Sequence, residues 1–146
     1  MTIEQHTIEE WLSIEKPYMR RIVGRLLEGH SEEETAKILL SLKGVENTKS
    51  FGGFATQRAD DVYWTRFKKE FDMFICGHPK YQKLRDDISK NNNIITISTT
   101  SLIASALAPY VGIAASFLTV PIVLLLKAFS ELSINAYCQN IHFEEA

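Results

Sequence analysis

Along residues 1–90 apolar side chains recur at helical spacing, in short runs broken by proline and glycine. Thr7 with Glu10, and Ser31 with Glu34, form two capping boxes, in which a hydroxyl and a carboxylate satisfy each other's backbone donors. The first box opens a segment with Ile8, Trp11, Leu12 and Ile14, which Pro17 interrupts. A second helix is predicted from Pro17 to about Glu28, with Tyr18, Ile22, Val23, Leu26 and Leu27 on one face and Gly29 ending it. After Ser31, the residues Ala36, Ile38, Leu39 and Leu42 predict a short helix that stops near Gly44. Residues 44–59, with Asn47, Gly52 and Gly53, read as a loop. Asp60 or Asp61 then caps a helix to about Ile75, with a stripe of Tyr63, Phe67, Phe71 and Phe74 widened by Trp64 and Ile75. Tyr81 to Lys90 gives one more short, charged helix. Alternation of period two is absent, so the fold class is all-α.

Beyond Lys90 the pattern changes. No charged side chain occurs for 36 residues up to Lys127, whereas 1–90 holds 30 of the chain's 34 Asp, Glu, Lys and Arg. Ile94 to Ala108 is rich in hydroxyls (Thr96, Ser98, Thr99, Thr100, Ser101, Ser105), Pro109 to Gly112 reads as a bend, and Ile113 to Leu126 is strongly apolar. Ile134, Ala136 and Tyr137 extend that second arm. A bilayer span needs about 20 apolar residues. Leu107 to Leu126 has that length and includes eleven Leu, Ile, Val or Phe, although Pro109 and Pro121 weaken it. The arm 94–108, about 22 Å long as a helix, is short for a lone span.

Three arrangements satisfy this pattern: one span, a two-helix membrane hairpin, or a hairpin buried inside a soluble bundle. In each, protein or lipid must cover the apolar residues. The side chains expected to engage a membrane are Leu102, Leu107, Val111, Ile113, Phe117, Leu118, Ile122 and Leu125, with Pro109 and Gly112 as the hinge. Small residues such as Ala104, Ser105, Ala115 and Ser116 let two arms, or several copies, pack closely. The chain thus divides into a helical adaptor region (1–50), aromatic and charged helices (60–90) and the uncharged hairpin or membrane segment (94–138).

Composition changes the picture little. A net charge of -2 gives no bulk attraction to nucleic acid or anionic lipid, and mean hydropathy is only -0.08. Lys80, Lys83, Arg85 and Lys90 precede the uncharged segment while Lys127 alone follows it, which places the N-terminal half in the cytosol if the segment inserts. The start, Met-Thr-Ile-Glu-Gln-His, lacks a basic and an apolar signal region, so cytosolic synthesis is expected. Cys76 and Cys138 are too few for a disulfide framework and suit a reducing compartment.

Candidate chemistry is sparse. Cys76-Gly77-His78 offers two metal-type ligands where a structural zinc site needs four, and Cys138 has no near partner. Asp60-Asp61 and Asp86-Asp87 fall where helix caps and solvated faces are expected, and Gly52-Gly53 lacks the strand–helix setting of a phosphate loop. No catalytic residue, metal, cofactor or small-molecule substrate is expected. The aromatic stripe of 60–75 reads as core rather than as a lipid-interface helix. Trp11, Tyr18, Ile22 and Leu26 form a candidate interaction face.

Arg25 to Leu39 resembles the first two helices of response-regulator-type helix-turn-helix domains, with Gly29 as the turn, Ser31 as the cap and Ala36 as the small packing residue. That resemblance implies DNA binding, but a recognition helix should follow Leu40. The stretch from Leu42 to Gly53 offers only Lys43 and Lys49, so nucleic acid is not an expected partner.

In layout, a polar helical half carrying an uncharged hairpin resembles pore-forming colicin domains, apoptotic membrane permeabilisers and small bacterial membrane effectors of toxin or defence loci. What this implies is a non-enzymatic protein whose segment 94–126 engages the inner membrane as an oligomer, held in check by residues 1–90 or a protein partner. The competing expectation is a soluble cytoplasmic adaptor in which 94–126 is permanent core.

Overall fold

The computed structural model describes residues 2–48, 53–90, 93–130 and 134–141, with side chains over 2–41, 62–90, 93–130 and 134–141. Eight α-helices lie among them: α1 (Ile8–Trp11), α2 (Pro17–Leu27), α3 (Glu32–Thr48), α4 (Gly53–Ile75), α5 (Gln82–Ser89), α6 (Thr100–Val111), α7 (Thr119–Ser130) and α8 (Ile134–Cys138). Short 3-10 turns follow α1 and precede α5, α6 and α7. The all-α expectation therefore holds.

Both capping boxes form. The Glu10 N–H donates to Thr7 Oγ1 (3.2 Å) and the Thr7 N–H to a Glu10 carboxylate oxygen (2.9 Å). Ser31 and Glu34 repeat the exchange at 3.1 and 3.0 Å. Pro17 opens α2 at a position where its missing N–H costs nothing.

Four local expectations need correction. First, α3 does not stop near Gly44 but continues to Thr48, and α4 begins at Gly53, so Asp60 and Asp61 lie inside α4 rather than capping it. A glycine inside a helix costs about 1 kcal/mol. Packing of α3 along α4 and α7 outweighs that. Of the expected loop 44–59, residues 49–52 lie outside the described residues. Second, a two-residue parallel pair exists, with Thr2 opposite Ile94 and Ile3 opposite Ile95; it is too short to leave a periodic signal.

Third, Pro109 is not a hinge. It sits within the last turn of α6, where only its own N–H bond is forfeited. Gly112 alone makes the break: at φ 94° it caps α6 in the left-handed region, its N–H donating to Ala108 O at 2.9 Å. Fourth, the 107–126 stretch is not one span, because that cap and the 3-10 turn Ala115–Phe117 divide it. Among the described residues no helix is long and apolar enough to cross a membrane.

The core accounts for the silence in charge from Val120 to Leu126. Every residue of α7 from Val120 to Leu126 is buried, as only a helix enclosed on all sides requires. It packs against α1, α3, α6 and the first strand. The aromatic stripe of α4 faces inward, with Phe67, Phe71 and Phe74 fully buried. The rings of Phe71 and Phe129 lie 5.7 Å apart between centroids.

Candidate functional site

A groove opens beside α2. This helix packs on α3, and Val23 is its only fully buried residue. Extended backbone at Lys16 (ψ 150°) and the proline at the first helical position set its entry. Tyr18 and Ile22, one turn apart, keep 52% and 40% of their surfaces exposed, and Ile14 before the helix keeps 46%. These three, with Met19, form one wall of a groove of about 870 Å³. Leu39 of α3 and Ala104 of α6 contribute to its lining, and Ser101, Ser105, Ser116, Phe117 and Thr119 bring short polar and apolar side chains from the uncharged half.

The α2 side of the groove is mainly basic, although Glu15, next to Lys16, also lines it. Residues 17–27 contain Arg20, Arg21 and Arg25 and no acidic residue, and Lys16 precedes them. Arg20 donates to the carbonyl of Glu15 at 3.1 Å, which leaves its charge unneutralised. Among the described residues none of these four basic groups enters an ion pair.

Of the expected interaction face, Tyr18 and Ile22 line this groove and Leu26 is half-buried beside it. Trp11 does not belong to it. Its side chain is fully buried, with the indole edge-on to His6 at 5.3 Å between ring centroids. A large ring directly after a capped first turn is better covered by α7 than left in water.

The eight side chains expected to engage a membrane divide. Leu107, Val111, Leu118, Ile122 and Leu125 are fully buried in protein, and Ile113 is half-buried against the same core. Leu102 and Phe117 are exposed at 43% and 46%. Phe117 lines the groove and Leu102 lies outside its lining. Ile14, Ser101, Ser105 and Thr119 were not foreseen as site residues. The available signal was the paired spacing of Tyr18 with Ile22 and of Arg21 with Arg25, an apolar and a basic row side by side on one helix.

Two buried carboxylates of α4 are engaged in structural contacts. Glu70 and Asp72, both buried on α4, each hold a lysine and a tyrosine: Lys80 and Tyr81 for Glu70, Lys68 and Tyr137 for Asp72. Burial first, and then hydrogen bonding to the carboxylate, pushes both phenols far above the ordinary tyrosine range. They act as fixed donors rather than as acids or bases at neutral pH.

A second cavity, of about 610 Å³, is bordered by Cys76, Gly77, Arg85 and Cys138. Arg85 caps the end of α4 there, donating to Phe74 O (3.0 Å) and His78 O (2.7 Å). Burial lowers its pKa. The two cysteines are not the isolated thiols of the sequence reading: Cys76 and Cys138 form a disulfide, because the return of α8 over α4 brings their Cα atoms to 5.5 Å. Cys76 is thereby removed as a metal ligand beside His78, and among the described residues no group of His, Cys, Asp and Glu could hold a metal ion.

The chain matches no family model, no curated protein and no solved structure. The geometry therefore carries the functional reading alone.

Proposed function

We propose that this chain is a non-enzymatic α-helical interaction protein that works in water, with residues 94–126 as permanent core and the groove beside α2 as its contact surface. One observation carries the reading. The apolar side chains of α7 and the inner faces of α4 and α6 are covered by the chain itself, whereas Ile14, Tyr18 and Ile22 reach solvent together at a single concavity. Lone exposed apolar residues are ordinary on any protein. A cluster of them in a groove with a polar rim marks a contact surface.

A membrane-effector role would require α6 and α7 to leave this core. Their buried side chains would then face water in transit, at about 25 cal/mol per Å² of apolar surface. A pair of lysine substitutions on the uncharged half separates the readings. Leu118→Lys places a charge in the core and is expected to unfold the whole chain, while Leu102→Lys, at an exposed site, leaves it folded. The native protein, without detergent, stays in the supernatant when membranes are pelleted. A folded Leu118→Lys variant together with a native protein that pellets with membranes would overturn the proposal.

A further inference from the structure

The groove has a chemistry as well as a shape, and on the reading that it is the contact surface its occupant can be specified. The walls are helices, so no strand edge is open there to receive an extended peptide by backbone pairing. What the walls offer is side-chain surface: Ile14, Tyr18 and Ile22 on one side, and short serines of α6 and the following turn on the other. An apolar ridge from a second helix, with side chains at positions i, i+3, i+4 and i+7, fits such a trough. The serines beside Phe117 are short, and the groove's volume of about 870 Å³ leaves room for large side chains from the incoming helix.

The charge beside the trough then selects the partner's polar face. Arg21 and Arg25 each follow a groove-lining residue by three positions, Tyr18 and Ile22, so on the helix surface they are its immediate neighbours. Both are exposed. With Lys16 and Arg20 they make α2 a basic helix without an acidic residue in its span, in a chain whose net charge is -2; Glu15, the one acidic residue of the groove lining among the described residues, precedes the helix and is six positions ahead of Arg21. A partner bearing carboxylates along the flanks of its apolar ridge would meet these cations, gaining on-rate and register from opposite charge. A basic partner would be repelled by the same groups.

We infer that the groove between α2 and the start of the uncharged hairpin docks an acidic amphipathic helix of a partner protein, its apolar ridge seated on Tyr18 and Ile22 and its carboxylates paired with Arg21 and Arg25. Exposed pairs of this kind are screened by salt, so the affinity falls as ionic strength rises.

The test titrates the full-length protein with a synthetic helical peptide of about 18 residues, glutamate on its polar face and leucine and phenylalanine on its apolar face. Backbone amide NMR spectra and fluorescence anisotropy provide the readouts. A twin peptide with lysine for every glutamate, and vesicles of mixed phosphatidylglycerol and phosphatidylcholine, complete the set.

The acidic peptide is expected to shift the amides of Tyr18, Ile22 and Ser105, and to bind at least tenfold more tightly than its lysine twin. Ile22→Ser and the double variant Arg21→Glu with Arg25→Glu each weaken it at least tenfold, while Leu102→Ser, outside the groove lining, leaves it unchanged. Thermal melts confirm that these exposed-site variants stay folded. The inference fails if the two peptides bind equally, or if charge reversal leaves the affinity intact. Self-association abolished by Arg21→Glu would also overturn it, by assigning the groove to a second copy of this chain. Those results would leave the water-borne interaction reading standing, whereas vesicle binding lost with Ile22→Ser would overturn both.

Discussion

The ammonium of Lys80 lies 3.6 Å from the ring centroid of Tyr110 while donating to a carboxylate oxygen of buried Glu70 at 2.7 Å. Tyr110 belongs to the last turn of α6, and Glu70 and Lys80 to the charged half. One cation thus ties the middle of the uncharged segment to the polar helices. Glu70→Gln is expected to cost about 1–3 kcal/mol in a urea melt, because it leaves Lys80 without its carboxylate at a mostly buried site. Tyr110→Leu, which removes only the ring face, costs about 0.5–1 kcal/mol.

The Cys76–Cys138 bond closes a loop of 62 residues and fastens α8 to the end of α4. Constraining the unfolded chain over that length is worth about 2–4 kcal/mol. Cys138→Ser, or a reductant in the melt of the native protein, is therefore expected to lower stability by that amount while far-UV helicity is kept. The bond's absence in the non-reduced protein, measured by mass with and without alkylation, would contradict the arrangement of α8.

Gly112 is the single residue that ends α6, and its φ of 94° is one that side chains rarely adopt. An alanine there also brings a Cβ to 3.2 Å from Arg66 Nη1, the movable end of a long side chain, so backbone strain decides the outcome. Gly112→Ala is expected to destabilise by about 1–2 kcal/mol. Pro109→Ala, inside the helix, should be neutral or stabilising, since it restores one backbone donor.

Much of this was legible in the chain. Thr7 with Glu10 and Ser31 with Glu34 announced two helix starts, and the Phe67, Phe71 and Phe74 spacing announced a core face. The uncharged half announced that something must cover it, but composition does not distinguish a cover of lipid from one of protein. That choice depended on whether α3 and α4 were long enough to flank α7, and Gly44 and Gly53 masked their length. Likewise, 62 positions separate the two cysteines, and pairing over that distance follows only from tertiary return. In the groove, Tyr18 and Ile22 were readable as a face; its opposite wall of serines was not, because hydroxyls beside an apolar run fit a lumen, a helix contact or a rim equally well.

The pH range of stability follows from groups at both ends. The carboxyls of Glu10 and Glu34 are held below the ordinary range chiefly by the Thr7 and Ser31 backbone donors, so their contribution is present above the unfolded value and is lost as pH falls through the folded one. Tyr81 and Tyr137 are raised, so the folded state holds protons that the unfolded chain releases, and their contribution is lost as pH rises past about 10. NMR titration is expected to place the Glu34 midpoint below that of a free glutamate, and Ser31→Ala to move it upward.

Native-state hydrogen exchange of α7 tests the central claim most directly. If residues 94–126 are the permanent core, the amides of Ile122, Val123 and Leu124, each fully buried, exchange slowest in plain buffer and open only with global unfolding. Adding lipid vesicles changes nothing. Rapid exchange of those amides in buffer, with protection gained only when vesicles are supplied, would contradict the account.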